Sequence, residues 1–342
     1  MHCILHIGTE KTGSTAIQHF LHNNWDIFKN QGVHICRSVG SPNNRSLPAA
    51  FLSEKKLDDF LRRLNHKNLE ERRRWRQRVL KDFLAEVSRA EKKSGTFVVS
   101  SEHLQSKLMS LDEVRELQLF LQPLFDSISV VCYLRRQDQL AMSRYSEVLR
   151  AGHVFQSPIP VVGGRKNGKL PPYYDFEALL NRWSDAFGEE HIKPRIYSRE
   201  ELLGGDVIHD FIHTLGLQLP ESVQLECGET NAALSAEAQC VLLGVNRTFQ
   251  EAGCTESERF LRGRLVSYLQ EHARGKSRQP TRSDALEFYS LFEPSNSMLA
   301  KRWFNREKLF ESDFSEYPEH TVSISAEKVA EIMAGFILQE KS

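Results

Sequence analysis

Residues 3–15 read CILHIGTEKTGST and join a short apolar run, a turn rich in Gly, Lys, Ser and Thr, and the start of a helix. The apolar run ends at Gly8, and residues 16–21, AIQHFL, have the composition of a helix. A strand followed by a tight turn and a helix N-terminus presents unpaired backbone N–H groups and the positive end of the helix dipole. The stretch therefore predicts an anion-binding turn of the kind that holds a phosphate group.

The polar residues of the turn suit a phosphate ligand. Gly8 and Gly13 let the backbone approach a ligand closely, Lys11 supplies a point charge, and Ser14 and Thr15 supply hydroxyl donors. A Walker A loop places its Lys after the second Gly, whereas Lys11 precedes Gly13, so the order of residues argues against a nucleotide triphosphatase. For the turn taken alone, a chance Gly/Ser/Thr connection between a strand and a helix is the simpler alternative.

The composition excludes several classes of protein. The chain has 342 residues, enough for an α/β core with insertions, and its 45 Lys+Arg residues balance 45 Asp+Glu residues, so no net charge favours nucleic acid or a membrane surface. Its six Cys residues have no C-x-x-C spacing and read as reduced thiols. The first strand leaves no room for a signal peptide, and no apolar run reaches membrane-spanning length. These features predict a cytoplasmic enzyme without a transmembrane segment.

Two further apolar runs predict strands that are buried on both faces of a sheet. They are TFVVSS at 96–101 and ISVVCYL at 128–134, and both are rich in β-branched residues. Helical patterns alternate with the strands, and residues 192–197 read as a last strand at the sheet edge because they contain Pro194. The alternation predicts an α/β fold with a largely parallel sheet.

Polar residues follow three of the predicted strands. Lys11 follows the first strand, Glu102 and His103 follow the second, and Arg135 follows the third. In parallel sheets, ligands bind beyond the carboxyl ends of the strands. We therefore expect these residues to converge on one crevice.

A second motif begins where the strand at 128–134 ends. Residues 135–143 read RRQDQLAMS, with Arg135 at the strand end and Ser143 eight residues later on a helix predicted over 138–149. An Arg offers a planar fork to phosphate oxygens, and a hydroxyl two helical turns along adds a donor. The alternative is that Arg135 pairs with a surface carboxylate and that Ser143 is an ordinary helix residue.

The two motifs together resemble those of sulfotransferases that use 3′-phosphoadenosine 5′-phosphosulfate (PAPS). The segment KTGST at 11–15 resembles their 5′-phosphosulfate loop, K-[ST]-G-[ST]-[ST], and residues 135–143 resemble their 3′-phosphate-binding segment. The resemblance covers about residues 1–150. It implies a three-layer P-loop-type fold with a central, mostly parallel sheet flanked by helices, plus helical insertions and a helical C-terminal part.

The resemblance also implies a donor site. The donor would be PAPS and its product adenosine 3′,5′-bisphosphate, with no metal required because the donor lacks a triphosphate. The residues that it assigns to donor binding are Lys11, Thr12, Gly13, Ser14, Thr15, Arg135 and Ser143.

The resemblance implies roles for three catalytic residues. Lys11 would stabilise the leaving phosphate, and Glu102 or His103 would act as the base. Successive strand residues point to opposite faces, so we expect only one of the two to face the acceptor, and we favour Glu102. The small-molecule enzymes of the family have a K-x-H-L-P segment that aligns His103, but Ser101 and Gln105 depart from it here. The expected acceptor is a hydroxyl or amine, and family analogy suggests a saccharide or glycolipid.

One further segment is rich in basic residues, and the whole chain is expected to form one domain. Residues 62–81 could give an electropositive rim for an acidic acceptor, but a solvated helix face is the favoured interpretation. The expected sulfotransferase domain spans 1–342, with core segments 1–36, 94–150 and 174–217, an insertion at 38–93, an acceptor-side loop at 152–174 and a helical part at 234–342.

Two alternative functions remain open at this point. The first is a P-loop kinase or NTPase, which the position of Lys11 before Gly13 and the lack of a clear Walker B Asp disfavour. The second is a catalytically silent nucleotide-binding protein that kept the anion-binding turn. The presence of Lys11, Arg135, Ser143 and a candidate base makes this second alternative the weaker interpretation.

Overall fold

Five parallel strands form the central sheet of the computed structural model, which describes residues 1–91, 95–160, 170–217 and 233–340. The sheet order is β2-β3-β1-β4-β5, and every pairing is parallel. In register, His2 of the central strand lies beside Thr96 on one side and Ser127 on the other. The strands are β1 (His2–His6), β2 (Val33–Ile35), β3 (Thr96–Ser100), β4 (Ser127–Leu134) and β5 (Ile192–Ile196).

Fifteen α-helices accompany the strands in the described residues. Short 3₁₀ helices span Gln122–Leu124, Glu189–His191 and Leu203–Gly205. The α-helices are α1 (Ser14–Asn23), α2 (Trp25–Asn30), α3 (Ser46–Ala50), α4 (Asp59–Arg63), α5 (Leu69–Glu91), α6 (Glu102–Lys107), α7 (Leu111–Leu121), α8 (Gln137–Arg150), α9 (Phe176–Phe187), α10 (Val207–Thr214), α11 (Ala236–Ala252), α12 (Glu256–His272), α13 (Arg282–Ser290), α14 (Glu293–Phe304) and α15 (Ala326–Gln339).

Helices cover both faces of the sheet, which explains the unbroken apolar strands. Ile4 of β1 packs in a core with α1 and α10, whereas the neighbouring residues Cys3 and Leu5 point to the other face and are fully buried there. On that second face, α5 contributes Phe83, whose ring centroid lies 5.7 Å from that of Phe97 in β3. A sheet buried on both faces needs apolar residues at every position, as the sequence predicted. The expected three-layer α/β architecture is confirmed.

The edge strand β5 contains Pro194 opposite Cys132 of β4. A proline cannot donate a ladder hydrogen bond, so it is tolerated where one side of the strand has no partner. The predicted edge position of this strand is confirmed.

The helix boundaries add detail that the sequence did not predict. The helical composition that begins at residue 16 continues as two helices, α1 and α2, because the chain breaks at Asn24, whose N–H donates to the Phe20 carbonyl. The described part of the insertion predicted at 38–93 contains α3, α4 and α5. Helical periodicity indicates the helices but does not locate the breaks between them. Asn65 lies in the break between α4 and α5 and has a positive φ of 50°, which a helix does not accommodate.

Chain contacts divide the protein into two compact units. The first comprises Met1–Arg135, Pro172–Glu226 and Ser295–Leu309 and contains the sheet. The second comprises Arg136–Pro171, Cys227–Pro294 and Phe310–Ser342, and its apolar core joins α8, α11, α12 and α15. The single domain expected over 1–342 stays a prediction.

A buried ion pair fixes α10 to the sheet in the first unit. Asp210 is fully buried and accepts hydrogen bonds from Arg195 of β5 and from the Tyr133 hydroxyl of β4, the latter at 2.8 Å. Although burial alone raises the pKa of Asp210, the bonds from Arg195 and Tyr133 lower it overall. Removing one partner would leave a buried charge uncompensated, so the Arg195–Asp210 pair holds α10 in place against β5.

Two other expectations concern the chain as a whole. No helix in the described parts of the chain is long and apolar enough to cross a membrane. Cys3, Cys36 and Cys132 are buried free thiols, Cys240 and Cys254 are partly exposed free thiols, and Cys227 lies outside the described residues. Burial raises the pKa of the Cys3 and Cys132 thiols well above its ordinary value, so both stay protonated.

Candidate functional site

The chain continues to pair with β4 after β1 ends. The Ile7 N–H donates to the Val131 carbonyl at 2.9 Å, and the Thr9 N–H donates to the Tyr133 carbonyl at 3.1 Å. The Thr9 hydroxyl donates to the same Tyr133 carbonyl at 3.0 Å. The turn that follows, residues 7–13 and here named the β1 turn, therefore starts from a fixed position on the sheet.

Two glycines give the β1 turn its shape. Gly13 has a φ of 78°, in the left-handed region, and a Cβ atom placed there would lie 2.7 Å from Cγ1 of Val207. A Cβ atom on Gly8, whose φ is 97°, would lie 3.0 Å from the Glu102 Cα. Both positions require glycine, for conformation and for space. The second contact brings the turn against the residue predicted as the base.

The hydroxyls of the β1 turn bond within the turn. Thr12 Oγ1 donates to the Thr9 carbonyl at 2.6 Å, and Ser14 Oγ donates to the same carbonyl at 3.1 Å. Thr12 is fully buried and Ser14 nearly so, whereas Thr15 is exposed. The two buried hydroxyls hold the turn in shape, and the predicted contacts of Thr12, Ser14 and Thr15 with a donor stay predictions.

The N-terminus of α1 has no cap from a side chain of the described residues. Its N-cap residue is Gly13, and its first turn contains no acidic residue. Side chains cap α4, α7, α9, α10, α11, α12, α13 and α15, whereas α2, α3, α6 and α8 also lack a side-chain cap among the described residues. The first N–H groups of α1 and the positive end of its dipole can therefore accept an anion.

Arg135, at the end of β4, contacts the β1 turn directly. Its Nη1 donates to the Lys11 carbonyl at 3.0 Å, and its guanidinium lies 5.4 Å from the ring centroid of Tyr197. Lys11 has a positive φ of 63°, an uncommon backbone conformation for a lysine. The predicted convergence of Lys11 and Arg135 is thus present, and the 3′-phosphate contact of Arg135 stays a prediction.

Ser143 lies in the second unit, two turns into α8. Ser143 is partly exposed, and its predicted role at the 3′-phosphate stays a prediction. The neighbouring Arg136 is buried and structural, since it pairs with Asp138 and donates to the Glu311 and Asp313 carbonyls. The two arginines of the motif therefore have different surroundings.

Glu102 and His103 begin a helix, contrary to expectation. Both lie in the first turn of α6, so the strand alternation that would place them on opposite faces does not apply. Glu102 Oε1 lies 3.5 Å from His103 Nε2, and the other carboxylate oxygen accepts a hydrogen bond from Gln18 Nε2 at 2.6 Å. The alternation argument therefore does not hold here, and the expectation that only one of the two faces the acceptor stays a prediction.

Burial lowers the pKa of His103 from its ordinary value, although the neighbouring Glu102 raises it. Its Nδ1 is buried without a hydrogen-bond partner among the described residues. The side chains of His103 and Glu102 keep 22% and 15% of their exposure. A neutral imidazole and a carboxylate thus share one partly solvated position, where either can accept a proton.

Sequence reasoning missed Gln18 and Tyr173. Gln18 lies one turn after Ser14 on α1 and is almost fully buried, so its amide is fixed beside Glu102. The Tyr173 hydroxyl donates to Glu10 of the β1 turn at 2.9 Å. A buried polar residue on the apolar side of α1 was the available signal for Gln18; nothing local identifies Tyr173, because its partner is far away in sequence.

The remaining predictions for the site concern metal and basic residues. No group of three or more His, Cys, Asp and Glu residues with metal-binding geometry occurs in the described residues. Along the basic segment at 62–81, Arg73 pairs with Glu54 and Arg74 with Glu70. Arg72 is buried and donates to four backbone carbonyls, those of Leu52, Ser53, Glu54 and Lys56. Much of this helix face is therefore neutralised or structural.

Of the acceptor-side loop at 152–174, residues 161–169 lie outside the described residues.

Comparison with known proteins gives few relatives to report. No family model matches the chain. An uncharacterized protein of Archaeoglobus fulgidus is 29% identical over 217 residues, which are 62% of this chain, and the chain spans about half (55%) of that relative's length. A sulfotransferase from Alicyclobacillus acidocaldarius has a solved structure that aligns with 75% of this chain and 98% of its own, at 14% identity and a TM-score of 0.36. A likeness at that TM-score carries no argument about the site.

Proposed function

We propose that the protein is a sulfotransferase that moves a sulfuryl group from PAPS to a hydroxyl or amine. The observation that carries the proposal is the uncapped N-terminus of α1, with Lys11 in the turn before it and Glu102 packed against the same turn. An open helix N-terminus suits an anionic donor, and the neighbouring Glu102–His103 pair suits removal of a proton from the acceptor. A saccharide or glycolipid is the acceptor class that the family resemblance favours.

The proposed reaction needs two kinds of group: one that stabilises the leaving phosphate and one that removes a proton from the acceptor. In the transfer, the bond from sulfur to the bridging phosphate oxygen breaks as the acceptor oxygen or nitrogen bonds to sulfur. The proton of the acceptor passes to the base, and negative charge builds on the bridging oxygen. Lys11 and the first N–H groups of α1 are suited to stabilising that charge, since preformed donors act most strongly on charge that develops in the transition state.

The Glu102–His103 pair is proposed as the base. Gln18 holds one oxygen of Glu102 by a hydrogen bond, and the other oxygen lies beside His103 Nε2, so we assign proton acceptance to that side of the pair. Burial keeps His103 neutral near pH 7, a state in which its ring nitrogen can accept a proton. Comparing Glu102→Gln with His103→Gln assigns the base, because only the variant that lacks the base loses most of its turnover.

Arg135 is proposed to bind the 3′-phosphate of the donor together with Ser143. Its guanidinium already contacts the Lys11 carbonyl and the Tyr197 ring, which orients the planar fork. An oriented arginine suits bidentate phosphate binding better than a mobile lysine. Arg135→Ala should therefore weaken donor binding more than it slows the chemical step.

The test is thermal stabilisation by adenosine 3′,5′-bisphosphate compared with ATP and Mg²⁺. At a ligand concentration of about one hundred times Kd, linkage predicts about 2.7 kcal/mol of stabilisation. We expect the bisphosphate to raise Tm by several degrees and Arg135→Ala to abolish the shift. Arg78→Ala, an exposed arginine on α5, is the matched control and should leave the shift intact.

Two outcomes would contradict the proposal. A shift with ATP and Mg²⁺ but none with the bisphosphate would favour a kinase or NTPase. A shift with the bisphosphate, but no sulfuryl transfer from PAPS to any of a panel of sugars, phenols and amines, would favour a catalytically silent nucleotide-binding protein.

A further inference from the structure

A cavity of about 470 Å³ lies in the segment between α3 and α5, in the first unit. Its lining comes from residues 54–72, the connection that holds α4 and the start of α5. Small-molecule sites in proteins typically occupy roughly 300–1,000 Å³, so the cavity is large enough to hold a ligand the size of a sugar.

Four cations and one carboxylate line this cavity: Lys55, Arg62, Lys67 and Arg72, with Glu54. Lys55, Arg62 and Lys67 line it, are exposed, and have no carboxylate partner among the described residues. Of the carboxylates nearby in the chain, Glu54 pairs with Arg73, Asp58 with Arg45 and Asp59 with Arg63, and Glu71 accepts a hydrogen bond from the Lys67 backbone N–H at 2.8 Å. This contrasts with the following turns of α5, where Arg73 and Arg74 have acidic partners. The cavity therefore keeps a net positive field that attracts anions.

The wall of the cavity is fixed in place by a buried arginine. Arg72 lines the cavity, and its guanidinium donates to the carbonyls of Leu52, Ser53, Glu54 and Lys56. Burial lowers the pKa of Arg72, although nearby carboxylates raise it. Because four hydrogen bonds tie α5 to the segment at 52–56, the cavity exists without a ligand and costs little ordering on binding.

Polar and apolar groups share the rest of the lining. His66 contributes a ring whose Nε2 is buried without a hydrogen-bond partner in the part of the chain that the structure describes. Leu57 and Leu69, which are 55% and 41% exposed, add apolar surface to the lining. An unsatisfied nitrogen beside exposed leucines suits a ligand with both polar and apolar faces, as a sugar ring has.

We propose that this cavity binds a sugar-sized organic anion, in which one acidic group meets Lys55, Arg62 and Lys67. The shared chemistry is an anionic oxygen group, a carboxylate, a phosphate ester or a sulfate ester, on a ring small enough for the cavity. The proposal concerns binding alone, so it does not depend on sulfuryl transfer, and its test contains no PAPS.

Trp75 provides a reporter for the test. Its ring centroid lies 5.8 Å from that of His66, so a ligand that orders His66 should change the Trp75 fluorescence. The probes are glucuronate, glucose 6-phosphate and glucose 6-sulfate, with glucose as the neutral control, titrated into the full chain at low and high salt. We expect saturable binding of at least one anion, weaker binding at high salt, and no response to glucose.

Matched variants connect the signal to the cavity. Arg62→Gln, Lys55→Gln and Lys67→Gln should each weaken the bound anion by about fivefold, the effect of removing one partly exposed charge contact. Arg63→Gln, on the same helix but paired with Asp59 and outside the lining, should change the Kd by less than about twofold. The Tm of each variant should match the wild type, because exposed cations without partners contribute little to stability.

The proposal is overturned if none of the three anions binds, or if glucose binds as tightly as they do. It is equally overturned if Arg63→Gln weakens binding as much as Arg62→Gln, since the response would then reflect general surface charge. A failure of adenosine 3′,5′-bisphosphate to bind the chain would leave these results unchanged, so the two proposals fail separately.

Discussion

Two turns at the carboxyl edge of the sheet differ in whether a carboxylate of the protein accepts hydrogen bonds from the backbone N–H groups there. The β1 turn leads into α1, whose N-terminus has no cap from the described side chains. The turn after β2, residues 36–40 and here named the β2 turn, is filled by the protein itself. The Glu86 carboxylate of α5 accepts hydrogen bonds from the Arg37 and Ser38 N–H groups at 2.8–3.1 Å and from His34 Nε2 at 2.8 Å.

The comparison distinguishes a structural turn, the β2 turn, from a candidate binding turn, the β1 turn, within the first unit. Burial alone raises the pKa of Glu86, but its hydrogen bonds from His34, Ser38 and Arg37 lower it to about 2. The Glu86 carboxylate thus stays ionised at neutral pH with its oxygens bonded to the β2 turn, and these bonds anchor α5. The N–H groups at the start of α1 have no side-chain cap among the described residues, so we infer that an external anion takes the place there that Glu86 takes in the β2 turn.

The largest expected effect tests whether the β1 turn acts on a ligand. Lys11→Ala should lower turnover by about a thousandfold, because a cation at the leaving oxygen stabilises charge that develops only in the transition state. Its bisphosphate-induced Tm shift should remain. Lys29→Ala, an exposed lysine on α2, should turn over like the wild type in the same PAPS assay. Loss of the Tm shift with full turnover would mean that Lys11 is misplaced in the donor site.

The second expected effect tests the filled turn. Glu86→Gln should destabilise the protein by about 2–3 kcal/mol at pH 7, because a buried, hydrogen-bonded carboxylate is replaced by a group that cannot accept all of its bonds. The folded-state pKa of about 2 lies below the ordinary 4.5, so this stabilisation is present above about pH 4.5 and is lost as the pH falls towards 2.

Urea unfolding at several pH values measures the difference between Glu86→Gln and the wild type. The gap should narrow steadily below pH 4.5. Asp82→Asn, an exposed carboxylate on the same helix, should show no gap at any pH. A gap that is constant between pH 7 and pH 3 would contradict the role assigned to the Glu86 charge.

The third expected effect concerns glycines in similar conformations. Gly13 and Gly32 have φ values of 78° and 75°, but a Cβ atom would meet Val207 at 2.7 Å in the first and nothing closer than 3.9 Å in the second. Gly32→Ala should cost about 1 kcal/mol from backbone strain alone. Gly13→Ala should cost about 1 kcal/mol more and should also remove the bisphosphate-induced Tm shift. Equal Tm values for the two variants would argue against the close approach at Gly13.

The smallest expected effect concerns Gln18 as a positioning residue. Gln18→Met should lower kcat by about fivefold with little change in the KM for PAPS, because Glu102 loses a hydrogen bond that orients it. Gln18→Glu should move the acid limb of the pH–rate profile upwards by about one unit, since a like charge raises the pKa of a carboxyl group. An unchanged pH profile in Gln18→Glu would show that Gln18 has only a packing role.

The β1 turn also shows what local pattern can and cannot reveal. The sequence identified β1, the turn and α1 because Gly8, Lys11 and Gly13 are informative at short range. It placed Arg135 correctly beside the turn because the carboxyl ends of parallel strands meet. It did not predict the helical conformation of Glu102 and His103, since strand alternation ends wherever a helix begins and propensity does not locate that residue.

The sequence by itself determined the parallel α/β sheet, its edge strand β5 and the position of the β1 turn, since these depend on apolar runs and on residues a few positions apart. That the β1 turn binds an anion stays a prediction. Only the tertiary structure decided which turn is filled by a side chain of the protein. Glu86 meets Arg37 and Ser38 across about fifty residues, and Gln18 meets Glu102 across 84, at 2.6 Å. Such pairings depend on how helices pack over the sheet, which no short window of sequence encodes. The same packing leaves the N-terminus of α1 without a side-chain cap among the described residues and brings Lys55, Arg62 and Lys67 to one cavity.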